Sequence, residues 1–317
     1  YRSNIERHIV PALGNFLLSQ LRPQHLQDYY IEALSNGRCD GKGGLSKRSV
    51  LYHHRIISEA LSHAVRLGIL ARNVAEFVDP PRPSRSQIKT LSQWDTSRFL
   101  KAAGHSEHYV FFCTLLYTGI RRGECLALRW QNLDLNLALL HIVETAYKLG
   151  NGSYIIKEPK TPHSRRVVDL PPSLALLLRS YREDKNLLCQ QFGRNLDEND
   201  FVFARPDGNL PDPSAITREF SSVLNRAELP HIRLHDLRHT HATLMLKAGE
   251  HPKIVSERLG HAKINITLDI YSHVLPGLQE AAAKGFDQML EEKPQDDIDV
   301  SQMLARREEG KGRPYSA

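Results

Sequence analysis

No run of eighteen consecutive apolar residues occurs anywhere in the chain, and the opening YRSNIERHIV has no basic stretch leading into a long apolar segment. The expectation is a soluble, cytoplasmic protein with no membrane partner. Cysteine is scarce: Cys39, Cys113, Cys125 and Cys189 are scattered with no paired spacing, which argues against a disulfide framework and a zinc knuckle. Cys113 and Cys125 lie among apolar residues and read as core thiols, whereas Cys39 and Cys189 are expected to be partly exposed. An initiator methionine is also missing, so residues are expected to precede Tyr1.

At 317 residues the chain exceeds one average domain. A hydrophobic share of 41% supplies enough apolar surface for real cores. The formal charge is +6 and the pI near 9.1, a balance that leans toward a polyanionic partner without requiring one.

Helical spacing dominates the first eighty residues. A short run over 4–10 is followed by an apolar stripe of Leu13, Phe16, Leu17 and Leu21, and then by a helix opening near Pro23 and stopped by Asn36 and Gly37. Ser46 is placed to cap a long helix with apolar positions Val50, Leu51, Ile56, Ile57, Ala60, Leu61, Ala64 and Val65. Lys47, Arg48, His53, His54 and Arg55 crowd its beginning. Taken alone they read as a solvated face, with a DNA-facing helix as the alternative. A stretch rich in proline, arginine and serine at 81–88 marks a linker, so 1–80 form a small all-helical domain.

Beyond the linker, Ser92 and Asp95 have capping-box spacing, and an apolar helix over 106–119 is stopped by Gly119. A new helix opens near Gly123 with Arg121 just ahead of it and Glu124 in its first turn. The bland reading is a surface Arg with a dipole-favoured carboxylate. The functional one is a cation held rigidly between two apolar helices, as an anion-binding group must be. After Trp130 the period changes, and LALLHIVETAYKL, SYIIKEPK and SRRVVDLP read as three short strands with Lys160 at the turn between the last two. Helices then follow from Ser173, with Leu174, Leu176, Leu177 and Leu178 buried, and from Ser214.

The densest chemistry lies in HIRLHDLRHTHATLMLKAGEHPKIVSERLGHAKINITLDIYSHV. His235 and Arg238 are three apart on one helical face, His261 follows a Leu-Gly, and Tyr271 falls in a final helix expected to begin near Thr267. His235, His239 and His241 lack the geometry and acidic third ligand of a zinc site, so no metal and no cofactor is expected. Two guanidiniums can grip the nonbridging oxygens of a phosphodiester. A tyrosine can hold a phosphoryl group covalently, and a lysine can protonate a departing oxygen.

The segments TGIRRGE, HDLRHTHAT and LGHAKINITLDIYSHV resemble the tyrosine recombinase family, the phage-integrase type found in temperate phages and integrative elements. The resemblance implies a mainly α fold with a small antiparallel β-sheet: a helical SAM-like core-binding domain (1–80) plus a DNA breaking-rejoining catalytic domain (89–275). It also implies a 276–291 helix that is a candidate for docking in trans, whereas the charged composition of 292–317 reads as a disordered tail. By the same resemblance the catalytic residues are Arg121, Lys160, His235, Arg238, His261 and the nucleophile Tyr271, braced by Glu124. Lys148 and Lys157 are rivals for the lysine, because the hairpin varies in length. Val74 departs from the family, which often has proline after the asparagine.

The resemblance raises the DNA-facing reading of Lys47, Arg48, His54 and Arg55, with Arg122 added beside the catalytic arginine. The implied partners are double-stranded DNA at a crossover site, a homotetramer on synapsed DNA, and an excisionase or host DNA-bending protein. The implied reaction is integration or excision of a mobile element through a 3'-phosphotyrosyl link. A host-type dimer-resolving recombinase, a type IB topoisomerase and a silent DNA-binding relative stay open as alternatives. An N-terminal domain binding arm-type sites, frequent in mobile-element members, is expected to have been cut away. His239 and His241 are expected in supporting or solvent-facing roles.

Overall fold

The computed structural model describes residues 1–84, 88–159, 165–271, 283–284 and 286–287, with the backbone alone for 266 and 269–271. Two compact units divide the chain, Tyr1–Gln87 and Ile88–Ala317.

All the secondary-structure elements described in the first unit are helical. Its opening run passes from α1 (Arg2–Asn4) through a π-helical turn (Ile5–Ile9) into α2 (Val10–Leu13). The expected apolar stripe does not continue: Phe16 and Leu17 are exposed, because the chain leaves α2 at Gly14 and only resumes a short 3₁₀ turn at Leu18–Gln20. Pro23 sits in the first turn of α3 (Pro23–Asn36), where its missing N–H costs no helical bond. In α4 (Lys47–Arg66) the Ser46 hydroxyl accepts from the Ser49 amide, which satisfies one of the free amides at the helix start. Leu26, Tyr30, Val50, Ile57 and Leu61 close the core between these helices. Ala60, expected inside, faces solvent.

His53 is buried in that core, with its Nδ1 sharing a 2.8 Å hydrogen bond with the Tyr29 hydroxyl. Burial, and then the nearby His8, pushes its pKa down to about 4. His53 is therefore a neutral core group and no part of a basic surface.

The second unit packs helices around a ring cluster of Phe99, Phe112 and Phe220, whose centroids lie 5.3–5.9 Å apart. Fully buried rings of this size each contribute about 1.5–3 kcal/mol. They come from α5 (Gln93–Ala103), α6 (Tyr109–Thr118) and α9 (Pro213–Arg226). The expected capping box is formed, with the Ser92 hydroxyl accepting from the Asp95 amide. The long α8 (Pro172–Gln191) buries Leu174 and Leu178, but Leu176 is exposed, since its position faces away from the seam that those two define. Cys189, expected to be partly exposed, is buried near the end of the same helix.

The strands form two ladders. β1 (Leu133–Asp134), β2 (Leu139–Ile142) and β5 (Arg166–Asp169) make one antiparallel sheet, while β3 (Thr145–Lys148) and β4 (Tyr154–Lys157) pair as a separate hairpin. The stretch read as one first strand is thus broken between Ile142 and Thr145, and its halves pair with different partners. After α7 (Arg122–Leu126), packed on β3, and the sheet segments come α10 (Asp236–Lys247), α11 (Pro252–Leu259) and α12 (Ile264–Tyr271). The last begins at Ile264, one turn earlier than expected. Most of the expected 276–291 docking helix, and the 292–317 tail, lie outside the described residues.

Candidate active site

Gly119 ends α6 with φ +67°, a left-handed turn that glycine adopts without strain. A Cβ there would meet His241 Cδ2 at 2.6 Å and Leu259 Cδ2 at 2.7 Å. The turn delivers Arg121 to the start of α7. Its backbone N–H donates to Glu124 Oε2 at 2.9 Å and its Nη1 to Glu124 Oε1 at 2.8 Å, while Nη2 reaches the Gly260 carbonyl at 3.3 Å.

Glu124 is buried and shared by a second arginine. Arg166, on β5, donates from Nη2 to Glu124 Oε2 at 2.9 Å and from Nε to the Arg258 carbonyl at 2.8 Å. Burial would raise the Glu124 carboxyl, but hydrogen bonds and charge from Arg166, then Arg121, outweigh it and hold the pKa below the ordinary value. Arg166 is the residue that sequence reasoning missed. Its signal was available: strand alternation places Arg166 on the face of Val168, which is core, and a cation on a buried face demands a partner.

Arg238 is buried on α10, and its Nη1 donates to the Gly119 carbonyl at 2.7 Å. His235, three residues earlier, is exposed, and its ring stands edge-on to His239 at 5.3 Å. Desolvation and then the Arg238 charge lower its pKa. His261 follows α11, whose C-cap Gly260 is again left-handed, at φ +67°. Its Nδ1 shares a 2.8 Å hydrogen bond with the buried Thr267 hydroxyl. Burial first, then Arg238 and Arg121, push His261 down to about 3. Both imidazoles are therefore neutral at pH 7, and both lie within the field of the same two guanidiniums.

His241 is not solvent-facing. It is buried, its Nδ1 donates to the Leu116 carbonyl at 2.8 Å, and its Nε2 accepts from Arg258 Nε at 3.2 Å. His239 is half-buried and held at about 4, by burial and then by His235. The structure thus brings Arg121, Glu124, His235, Arg238 and His261 to one site. Tyr271 closes α12 as its last residue, eight residues long from Ile264, and Lys160 lies outside the described residues. Of its rivals, Lys148 is paired with Asp212 at 2.7 Å, and Lys157 is exposed.

Beside the site an open cleft of about 720 Å³ is lined by Arg121, Arg122, Lys148, Thr217, Arg233 and His235. On the separate first unit, Lys47, Arg48 and Arg55 are exposed. His54 is half-buried, with Nδ1 engaged by the Tyr30 hydroxyl at 2.8 Å and its pKa lowered by burial.

Residues 85–277 match the model described as the phage integrase family, and residues 1–34 match that of the phage integrase N-terminal SAM-like domain. The chain belongs to the phage integrase family. It is a tyrosine recombinase, a DNA strand transferase acting in site-specific recombination. A "Tyrosine recombinase XerC-like" protein of Caldanaerobacter subterraneus subsp. tengcongensis is 30% identical over 293 residues, 87% of this chain and 72% of that protein. The ICEBs1 integrase of Bacillus subtilis is 29% identical over 250 residues, covering 78% and 67%. Among solved structures, the Tn1549 transposon integrase in complex with transposon right end DNA superposes with a TM-score of 0.71 at 19% identity, over 88% of each chain. A lambda integrase tetramer bound to a Holliday junction gives 0.60 at 16% identity, over 85% of this chain and 70% of that one. At such identities these structures report the fold, which is that of the recombinase: mostly helix with small antiparallel sheets. Among the described residues, no helix is long and apolar enough to cross a membrane.

Proposed function

We propose that Tyr271 is the nucleophile of this recombinase and that Arg121, His235, Arg238 and His261 hold and stabilise the phosphate it attacks. The observation that carries this reading is the pinning of two guanidiniums, Arg121 on Glu124 and Arg238 on the Gly119 carbonyl, around two neutral imidazoles. Cations fixed before the reaction need no reorganisation as negative charge grows on a pentacoordinate phosphorus. The Tyr271 oxygen forms a bond to phosphorus while the bond to the 5' oxygen breaks. A neutral imidazole is in the right state to accept the phenolic proton, and Lys160 supplies the proton that the leaving 5' oxygen takes up. The 5'-hydroxyl of a partner strand then reverses the step, so the phosphodiester is rebuilt without an external energy source.

The DNA partner is duplex DNA at a crossover site. Lys47, Arg48 and Arg55 of the first unit and Arg122 beside the site supply phosphate contacts, with His54 limited to its Nε2. Two rounds of strand exchange require four protomers on two sites, in keeping with the tetramer described for lambda integrase. The reaction integrates or excises a mobile element in the cytoplasm, assisted by an excisionase or a DNA-bending protein.

The test is a nicked suicide duplex carrying the chain's own crossover site. A denaturation-resistant protein–DNA adduct is expected with the unaltered protein and none with Tyr271→Phe. An adduct that persists in that variant removes Tyr271 from the role.

A further inference from the structure

Four hydrogen bonds close a ring, of which the proposed chemistry uses only the one between Arg121 and Glu124. Arg121 Nη1 donates to Glu124, and Arg166 Nη2 donates to the other oxygen of the same carboxylate. Arg166 Nε then reaches the Arg258 carbonyl at the end of α11, and Arg121 Nη2 reaches the Gly260 carbonyl two residues on. His261 is the next residue. The Arg166 guanidinium lies so close over this turn that a Cβ on Gly260 would sit 2.8 Å from Nη1 and 3.0 Å from Cζ. The Arg166 side chain is 7% exposed and that of Glu124 2%, so neither is available to solvent.

We propose that Arg166 is a positioning residue for strand cleavage, holding Arg121 and His261 in one frame by gripping Glu124 on one side and the end of α11 on the other. This rests on the reading of Arg121 and His261 as phosphate-handling groups. A planar guanidinium suits the task, because Nη1 and Nη2 face the Glu124 carboxylate end-on, at 3.4 and 2.9 Å, while the Nε–H leaves from the side to the Arg258 carbonyl, whereas an ammonium is a point charge on a flexible stem. His261 also feels Arg238 and His239 from α10, Arg121 from the start of α7 and Arg166 from β5, all in the direction that disfavours its protonation.

Three measurements on the full chain test this. Arg166→Lys keeps the charge against Glu124 and is expected to fold, to bind crossover-site DNA with unchanged Kd, and to lose at least about ten-fold in single-turnover cleavage, a factor equivalent to about 1.4 kcal/mol in the barrier. Cleavage at the unaltered rate overturns the proposal. Arg166→Gln removes a nearby positive charge and frees the turn, so the His261 ring proton resonance, assigned by its loss in His261→Gln, is expected to titrate at higher pH in the DNA-free protein. A folded Arg166→Gln with unchanged His261 titration also overturns it. If Arg166→Gln does not fold, the cleavage rate of the lysine variant decides. Should the unaltered protein form no adduct through Tyr271, the proposed function fails, while the His261 titration still judges the positioning role without any DNA.

Discussion

Arg238 on α10 donates to the carbonyl of Gly119, 119 positions earlier in the chain, at 2.7 Å. The acceptor is the C-cap of the helix that leads into Arg121, so the two arginines proposed to grip the phosphate share one support. A displacement of that turn moves both cations together, and this dependence gives the site its most direct tests.

Gly119→Ala forces a side chain into a left-handed turn against His241 and Leu259. Strain and overlap together are expected to cost about 2–4 kcal/mol of stability, with cleavage reduced more than DNA binding. Urea unfolding followed by fluorescence measures the first. A midpoint equal to that of the unaltered protein would show that the turn relaxes freely.

Glu124→Gln leaves Arg166 buried beside a neutral amide. Removing one partner of a buried ion pair typically costs about 3–5 kcal/mol, and the exposed flank of Arg121 places the expectation at the lower end. Gln keeps the shape and one acceptor, so a loss of stability here reports charge rather than packing. Differential scanning calorimetry provides the comparison, and an unchanged Tm would contradict the assignment.

Acidification is expected to destabilise the fold well before ordinary carboxylates titrate. His53 and His239 are held at about 4 and His241 and His261 at about 3, against about 6.5 in an unfolded chain. The unfolded state therefore binds more protons than the folded state between pH 6.5 and those values. The stabilisation is fully present above pH 6.5 and is lost progressively as pH falls from there through the folded values. Glu124 and Asp236, both lowered, act in the same sense at lower pH. A Tm that stays level from pH 7 to pH 5 would be incompatible with these buried neutral rings.

The candidate lysines are separable by leaving-group chemistry. Lys160→Ala is expected to accumulate little cleavage product on a normal 5' oxygen and to recover on a 5'-thio leaving group, which needs no proton. Lys148→Ala is expected to cleave normally, because its ammonium is committed to Asp212, the N-cap of α9. Rescue appearing with Lys148 or Lys157 variants, and absent with Lys160, would move the role to the hairpin.

In the first unit, Tyr29→Phe leaves the buried His53 Nδ1 without its 2.8 Å partner. An unsatisfied buried polar group costs about 1–3 kcal/mol, which thermal unfolding of the variant would register. Restoring stability with a second change of His53 to a similar-sized apolar residue such as Leu would confirm that the lost bond is responsible.

Helix starts and their caps were legible because they are local: Ser46 and Ser92 announce them by residue type, while the family was legible from the order of Arg121, His235, Arg238 and His261 along the chain. Pairings across the chain were not. Nothing near Ile142 states that the strand stops there and that its two halves join different ladders. Likewise His53 and His241 look like surface histidines in one dimension. Their burial depends on Tyr29 and on the Leu116 carbonyl, supplied from distant segments. Phe16 and Leu176 fail in the opposite direction, as apolar residues at plausible spacing that stay exposed, although the Phe16 ring stacks on His25.

The tight seat of Gly260 beneath the Arg166 guanidinium has a consequence at the level of the gene. Every missense change of one nucleotide in a glycine codon adds a side chain, and here any added side chain meets the guanidinium while its backbone resists the left-handed turn. In a library of single-nucleotide variants selected for recombination, codon 260 should return only silent changes, although the residue it encodes touches no DNA strand through a side chain of its own.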